Sequence, residues 1–128
     1  RVLAACPKVH KWALVVRDPL PRWSGDRMML LGDACHPMTP YMAQGAAMAM
    51  EDAVLLSRCL EQDASDMERA FVRFEATRKQ RTSKVQLNSQ ANAWMRQATD
   101  PGWVYGYDVW TTPLADGSPS VPRSTAAE

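Results

Sequence analysis

Gly32-Asp33-Ala34-Cys35-His36-Pro37-Met38-Thr39-Pro40-Tyr41-Met42-Ala43-Gln44-Gly45-Ala46-Ala47-Met48-Ala49-Met50-Glu51-Asp52-Ala53 is the stretch on which the reading of this chain turns. It begins where the short apolar run Arg27–Leu31 stops, and Gly32 to Gly45 holds two glycines and two prolines. Proline removes a backbone donor and glycine loosens the chain, so regular helix is excluded there and a loop is expected. From Gln44 or Gly45 to Cys59 the pattern turns helical. Ala46, Ala47, Met50, Ala53, Val54, Leu56 and Leu60 recur at three- and four-residue steps, and the many small residues let this helix approach a neighbour closely. A helix start offers unpaired N–H groups and partial positive charge, and Gly45 admits a flat or anionic ligand close to the backbone. Asp33, just past a strand end, is placed to accept hydrogen bonds from ligand hydroxyls. Spacing alone admits a nucleotide-like site without selecting it, because strand–loop–helix junctions with glycine are common.

Upstream, Lys11 to Val16 is apolar with β-branched members and is expected to be a strand that Asp18-Pro19-Leu20-Pro21 ends. Ser24-Gly25 signals a turn, and Arg27–Leu31 reads as a buried strand leading into the loop. Downstream, Ser65-Asp66-Met67-Glu68 has the Ser-x-x-Glu form of a capping box, so a long helix is expected to begin there. Met67, Phe71, Phe74, Val85, Ala91 and Met95 keep helical phase to about Arg96, and Asp100-Pro101-Gly102 stops it. Within it Arg78 to Lys84 carries four basic residues. A solvated or salt-bridged face is the expectation, in preference to an anion site. Gly102 to Trp110 is dense in aromatics and reads as an irregular segment covering another surface. From Asp116 the chain is polar and Pro-rich, a composition that favours disorder.

The 128 residues suffice for one ordinary domain. A net charge of +1, from 15 Lys plus Arg against 14 Asp plus Glu, gives no global field toward nucleic acid or an anionic membrane. No apolar run approaches the roughly 20 residues that span a bilayer, and the amino end lacks a signal-peptide pattern. Cys6, Cys35 and Cys59 have neither CxxC spacing nor a partnering His cluster, which fits free thiols in the cytoplasm better than disulfides or a metal site. The chain opens at Arg1 without Met, so upstream sequence is expected to be missing.

The pattern Gly-Asp-Ala-x-His-Pro-x-x-Pro-x-x-x-Gln-Gly-Ala-x-x-Ala-x-x-Asp-Ala resembles the second FAD-binding motif of the class A flavoprotein monooxygenases, the para-hydroxybenzoate hydroxylase-like enzymes. The flanks Trp12-Ala-Leu, Arg17-Asp18-Pro19-Leu20 with Trp23, Cys35-His36-Pro37-Met38 and Tyr105-Gly-Tyr-Asp-Val-Trp110 look closest to the salicylate hydroxylase and 6-hydroxynicotinate 3-monooxygenase subgroup. The resemblance covers about Val9 to Leu114. It implies an α/β fold class, the carboxy-terminal part of an FAD-binding Rossmann-like domain of the glutathione reductase type, with a strand pair, a flavin-facing helix and a long carboxy-terminal helix. The implied divisions are 1–26 for the end of the substrate-domain strands, 27–64 for the FAD-binding strand–loop–helix, 65–114 for the long helix and aromatic segment, and 115–128 for the tail.

The resemblance also assigns roles. Asp33 would bind the ribityl or ribose hydroxyls of FAD, and Pro40 would lie beside the isoalloxazine. Gln44, Gly45 and Ala46 would present the helix start to its pyrimidine end, where reduced flavin carries negative charge. The implied reaction uses NADH (or NADPH) and O2 to hydroxylate a small hydroxylated aromatic or pyridine carboxylate such as 6-hydroxynicotinate, with loss of CO2 where the attacked carbon bears the carboxylate. Salicylate is the alternative substrate. Tyr41 either contacts substrate or packs. His36 reads as a structural hydrogen-bonder in preference to a general base, Asp52 as structural, Cys35 as a small buried residue, and Met38, Met42, Met48 and Met50 as core or pocket wall. No catalytic residue is assigned, and no metal is expected. Gly25, Gly32, Gly45, Gly102, Gly106 and Gly117 never form Gly-x-Gly-x-x-Gly, so the pyrophosphate-binding turn is absent. The expectation is therefore a fragment that alone neither holds FAD tightly nor turns over. Readings of other classes are a non-enzymatic helical interaction module and a flavoprotein halogenase or epoxidase.

Overall fold

The computed structural model describes residues 5–25, 27–92 and 100–118. Its regular elements are a two-stranded antiparallel ladder, β1 (Ser24–Gly25) and β2 (Met28–Met29), followed by α1 (Gly45–Gln62), α2 (Met67–Ala91) and the short α3 (Gly102–Tyr105). Two 3₁₀ turns, Gly32–Ala34 and Pro40–Met42, lie in the loop between β2 and α1. The chain is thus helix-rich with a small strand pair. The helices run in opposite directions, since Asp63 pairs with Arg73 near their turn while Met48 meets Arg78 further out. Trp23, Cys35, Leu55, Cys59, Ala70 and Phe74 form one core between them, and Met42, Met48, Val85 and Val104 form a second nearer the start of α1. Each fully buried Leu or Phe contributes roughly 1.5–3 kcal/mol to this packing.

Several local expectations need correction, among them the buried strand expected at Arg27–Leu31: only Met28–Met29 pairs, and Met28, Leu30 and Leu31 are 74%, 39% and 38% exposed. Lys11–Val16 forms no strand: Trp12 and Val15 are each 82% exposed, and among the described residues no strand pairs with them to complete a ladder. Ser24-Gly25 is not the turn but the first strand, paired Ser24 to Met29 and Gly25 to Met28; Glu75 of α2 fixes it by accepting from Ser24 N at 3.0 Å and Ser24 Oγ at 2.8 Å. The cap of α2 is Asp66, one residue past the expected Ser65, and its carboxylate accepts from Arg69 N at 3.0 Å. The helix then ends at Ala91, with Asn92 left-handed at φ 52°, a conformation asparagine tolerates. Met95 and Arg96 fall outside the described residues.

The aromatic segment does cover another surface. Arg81 donates to the carbonyls of Trp103 and Val104 at 2.8 and 2.9 Å and stacks 3.8 Å from the Tyr107 ring centre, while Arg58 reaches Val109 O at 2.6 Å. Ala115 N donates to Thr77 Oγ1 at 2.9 Å and Gly117 is buried against Arg69, so the chain follows α2 as far as Gly117. Residues 119–128, most of the segment whose composition favours disorder, lie outside the described residues.

Candidate functional site

The loop from Gly32 to Gln44 is fastened at both ends. At its start Gly32 has φ +54°, and a Cβ there would stand 3.3 Å from Ala49 Cβ, so glycine suits both the backbone and the close approach to α1. The amides of Cys35 and His36 fold back onto Gly32 O at 3.0 and 2.9 Å. Asp52, fully buried on α1, anchors this turn: Oδ2 accepts from Gly32 N at 3.0 Å and lies 2.7 Å from His36 Nε2, and Oδ1 accepts from Arg78 Nε at 2.8 Å. Arg78, itself 0% exposed, also donates to Glu51 at 2.7 Å and to Met48 O at 3.1 Å, and Arg81 shares Glu51 at 2.9 Å. The basic run of α2 is therefore salt-bridged as expected, but at Arg78 it is buried and not solvated.

At the loop's far end Gln86 donates to Pro37 O at 3.0 Å, and Ser89 Oγ donates to Thr39 O at 2.6 Å. Ala43 then takes φ 52° where the chain turns into α1. For a non-glycine residue that costs on the order of 1 kcal/mol, which the fastened loop carries.

Between the loop and the first turns of α1 lies a cleft of about 480 Å³, with Asp33, Met38 and Pro40 on one side and Gly45, Ala46 and Ala49 on the other. The helix cap residue Gln44 makes no side-chain capping bond, and a Cβ on Gly45 would find only Met38 Cγ at 3.9 Å and Asp33 Oδ1 at 4.0 Å. The helix start thus opens onto the cleft, with the Asp33 carboxylate across from it. Of the residues singled out from sequence, Asp33, Pro40, Gly45 and Ala46 come together here. Gln44 is 6% exposed and Tyr41 41% exposed, and neither lines the cleft. Met38 is cleft wall, Met42 and Met48 are core, and Met50 is an exposed exception at 65%. Asp52 has the structural role read for it from sequence, whereas sequence reading placed Arg78 only within a basic run and singled out neither Gln86 nor Ser89. The only signal for them was polar residues recurring at helical spacing on faces that have to be buried.

Burial by itself raises the Asp52 carboxyl, but the His36 hydrogen bond and the Arg78 charge outweigh it and hold the group below the usual carboxylate range. Burial, reinforced by the Asp52 charge, pushes the Cys35 thiol up to about 12, which makes it an inert filler of the core. Cys35, His36 and Asp52 offer ligand atoms within 4.8 Å of one another, and Arg78 already supplies a fixed positive charge to the same carboxylate, bonding Oδ1 at 2.8 Å. The trio is a structural lock. A second groove of about 610 Å³ on the outer flank of α1, walled by Leu31, Ala53, Leu56 and Leu60, is almost wholly apolar and lacks convergent polar groups.

A carboxylate thus faces an uncapped, glycine-opened helix start across a cleft, an arrangement with room and donors for a planar, hydroxyl-bearing ligand. The model of the FAD binding domain family matches residues 8–95, more than half of the chain. The chain belongs to this family of FAD binding domains. It is 53% identical over 116 residues to the 6-hydroxynicotinate 3-monooxygenase of Pseudomonas fluorescens, covering 90% of this chain and 30% of that protein. It is 52% identical to the protein of the same name from Bordetella bronchiseptica, over 91% of this chain and 30% of that one. It is 40% identical to the 3-hydroxybenzoate 6-hydroxylase of Polaromonas naphthalenivorans, over 86% and 28%. The crystal structure of FqzB superposes with a TM-score of 0.66 at 32% identity, over 76% of this chain and 27% of that one. The chain spans about 30% of the length of the first two relatives. The resemblance drawn from the Gly32–Ala53 motif is borne out by these matches. No helix among the described residues is long and apolar enough to cross a membrane.

Proposed function

We propose that the intact protein is an FAD-dependent monooxygenase that uses NADH or NADPH and O2 to hydroxylate a small hydroxylated aromatic or pyridine carboxylate, and that this chain supplies the flavin-facing part of its Rossmann-like domain. The carrying observation is that the family match spans the cleft in which Asp33 faces the open start of α1. Asp33 accepts hydrogen bonds from the sugar-like hydroxyls of FAD, and Pro40 forms the wall beside the ring. The amides of Gly45 and Ala46, with Gln44 behind them, stabilise negative charge on the ring's pyrimidine edge. Tyr41, exposed next to Pro40, is the residue of this chain best placed to meet substrate. Bound FAD would pass electrons from the nicotinamide to O2; the chain's part is to orient the ring and keep water from it. Other parts of the longer fold cover the apolar groove of α1 and the exposed residues 9–16. Cys35 and Cys59 are buried free thiols, which suits a cytoplasmic protein.

The 6-hydroxynicotinate relatives favour a decarboxylating reaction, in which the carboxylate leaves as CO2, one oxygen atom joins the ring and the other becomes water. The 3-hydroxybenzoate relatives support a second reading, hydroxylation that leaves the carboxylate in place. Labelled O2 supplied to the intact protein with each acid separates them. Label in the product together with CO2 release supports the first, and label without CO2 release supports the second. Absence of bound flavin, or of label in any product, refutes both.

A further inference from the structure

Pro37 and Pro40 carry no backbone N–H, and among the described residues the only backbone bond made between Pro37 and Met42 outside regular elements is Ala43 N to Pro40 O at 2.9 Å. The wall of the cleft therefore cannot hold itself. Its carbonyls are held from α2 instead. Gln86, 2% exposed, donates through Nε2 to Pro37 O at 3.0 Å and to Arg17 O at 3.1 Å. Ser89, 0% exposed, stands 2.6 Å from Thr39 O and 2.9 Å from Thr39 Oγ1. Because a serine hydroxyl has a single proton, which goes to the Thr39 carbonyl, the Thr39 hydroxyl must donate to Ser89 Oγ. Both groups of Thr39, the residue before Pro40, are thus committed to one side chain roughly fifty positions away.

We infer that Gln86 and Ser89 are positioning residues that set where the Pro37–Pro40 wall stands against a ring bound in the cleft, an inference that rests on the flavin reading above. The opposite end of the loop is locked independently by Asp52, so a change at Ser89 moves the wall without releasing Asp33. Neither residue touches the cleft. A misplacement of about 1 Å at a reacting centre can cost on the order of a hundredfold in rate, so this support bears on turnover more than on cofactor retention.

The test uses the intact holoenzyme with Ser89→Ala and Gln86→Met. Flavin per protein should stay at the wild-type level while its visible bands shift, turnover falls roughly tenfold or more, and the peroxide released per nicotinamide oxidised rises. Cys59→Ala, in the core near the turn between the helices, should lower the melting temperature and leave bands and peroxide yield alone. If Ser89→Ala fails to fold, Gln86→Met carries the same readouts. A Ser89 or Gln86 variant that matches Cys59→Ala, losing stability only, overturns the inference while leaving the flavin reading intact. A wild-type protein without flavin overturns both.

Discussion

Replacing Asp52 with Asn removes one charge and almost no volume from the centre of the fold. The carboxylate accepts on both oxygens, from Gly32 N and His36 Nε2 on one side and from Arg78 Nε on the other. An amide can accept on only one of those sides, and its NH2 then confronts donors on the other. Removing one partner of a buried ion pair costs about 3–5 kcal/mol. Arg78 retains Glu51 at 2.7 Å and Met48 O at 3.1 Å, so the lower end, roughly 3 kcal/mol, is expected. For a urea slope of about 2 kcal/mol/M the midpoint should fall by about 1.5 M with the slope unchanged. The pH dependence supplies a second readout. Asp52 sits below its unfolded value, so its stabilisation is present above pH about 4 and is lost as pH falls through the folded value. Asp52→Asn should therefore flatten the acid limb of the stability curve. A loss under about 1 kcal/mol, or an acid limb as steep as wild type, would refute the reasoning, because both magnitude and sign derive from the same buried carboxylate.

Three further outcomes follow from the same geometry. Gly32→Ala should destabilise by roughly 1–2 kcal/mol, since alanine must adopt φ +54° and crowd Ala49, and a thermal melt reads it directly. Asp33→Asn in the intact protein should weaken FAD affinity about tenfold, the worth of a charge-assisted hydrogen bond, with the melting temperature of the flavin-free form unchanged because Asp33 is exposed; fluorescence titration measures it. A thiol reagent at neutral pH should modify the exposed Cys6 of the native chain, whereas Cys35 and Cys59, buried with thiols pushed up to about 12 and about 11, should react only as the protein unfolds. Fast native labelling of Cys35 would contradict its place in the core.

How far the fold was legible depended on the partner of each element. The α1 boundary at Gly45 was readable because a loop holding Pro37 and Pro40 gives way to the alanine-rich helix that opens at Gly45, a change encoded locally. The cleft residues Asp33, Pro40, Gly45 and Ala46 could be placed near one another because the loop is short. Lys11–Val16 misled because strand propensity describes a half-buried pleated surface, and no second strand among the described residues supplies that surface. The capping box misled by one position because Ser65 and Asp66 are both good caps, and only the geometry selects the carboxylate.

α2 shows where the sequence falls silent. Its buried face is Ala70, Arg73, Phe74, Arg78, Thr82, Val85, Gln86 and Ser89, a helical stripe in spacing yet more than half polar in chemistry. Hydrophobic periodicity cannot detect such a face, because its burial depends on acceptors elsewhere: Asp63 for Arg73, Asp52 and Glu51 for Arg78, the Pro37 and Thr39 carbonyls for Gln86 and Ser89. An apolar helix would pack against any greasy neighbour, whereas these side chains are satisfied in one register only, since a shift of one residue would strand buried donors at about 1–3 kcal/mol each. The polar face thus specifies where the loop lies as well as that the helices pack. That ties the long helix, which contributes no atom to the cleft, to the position of the wall that a bound ring would meet.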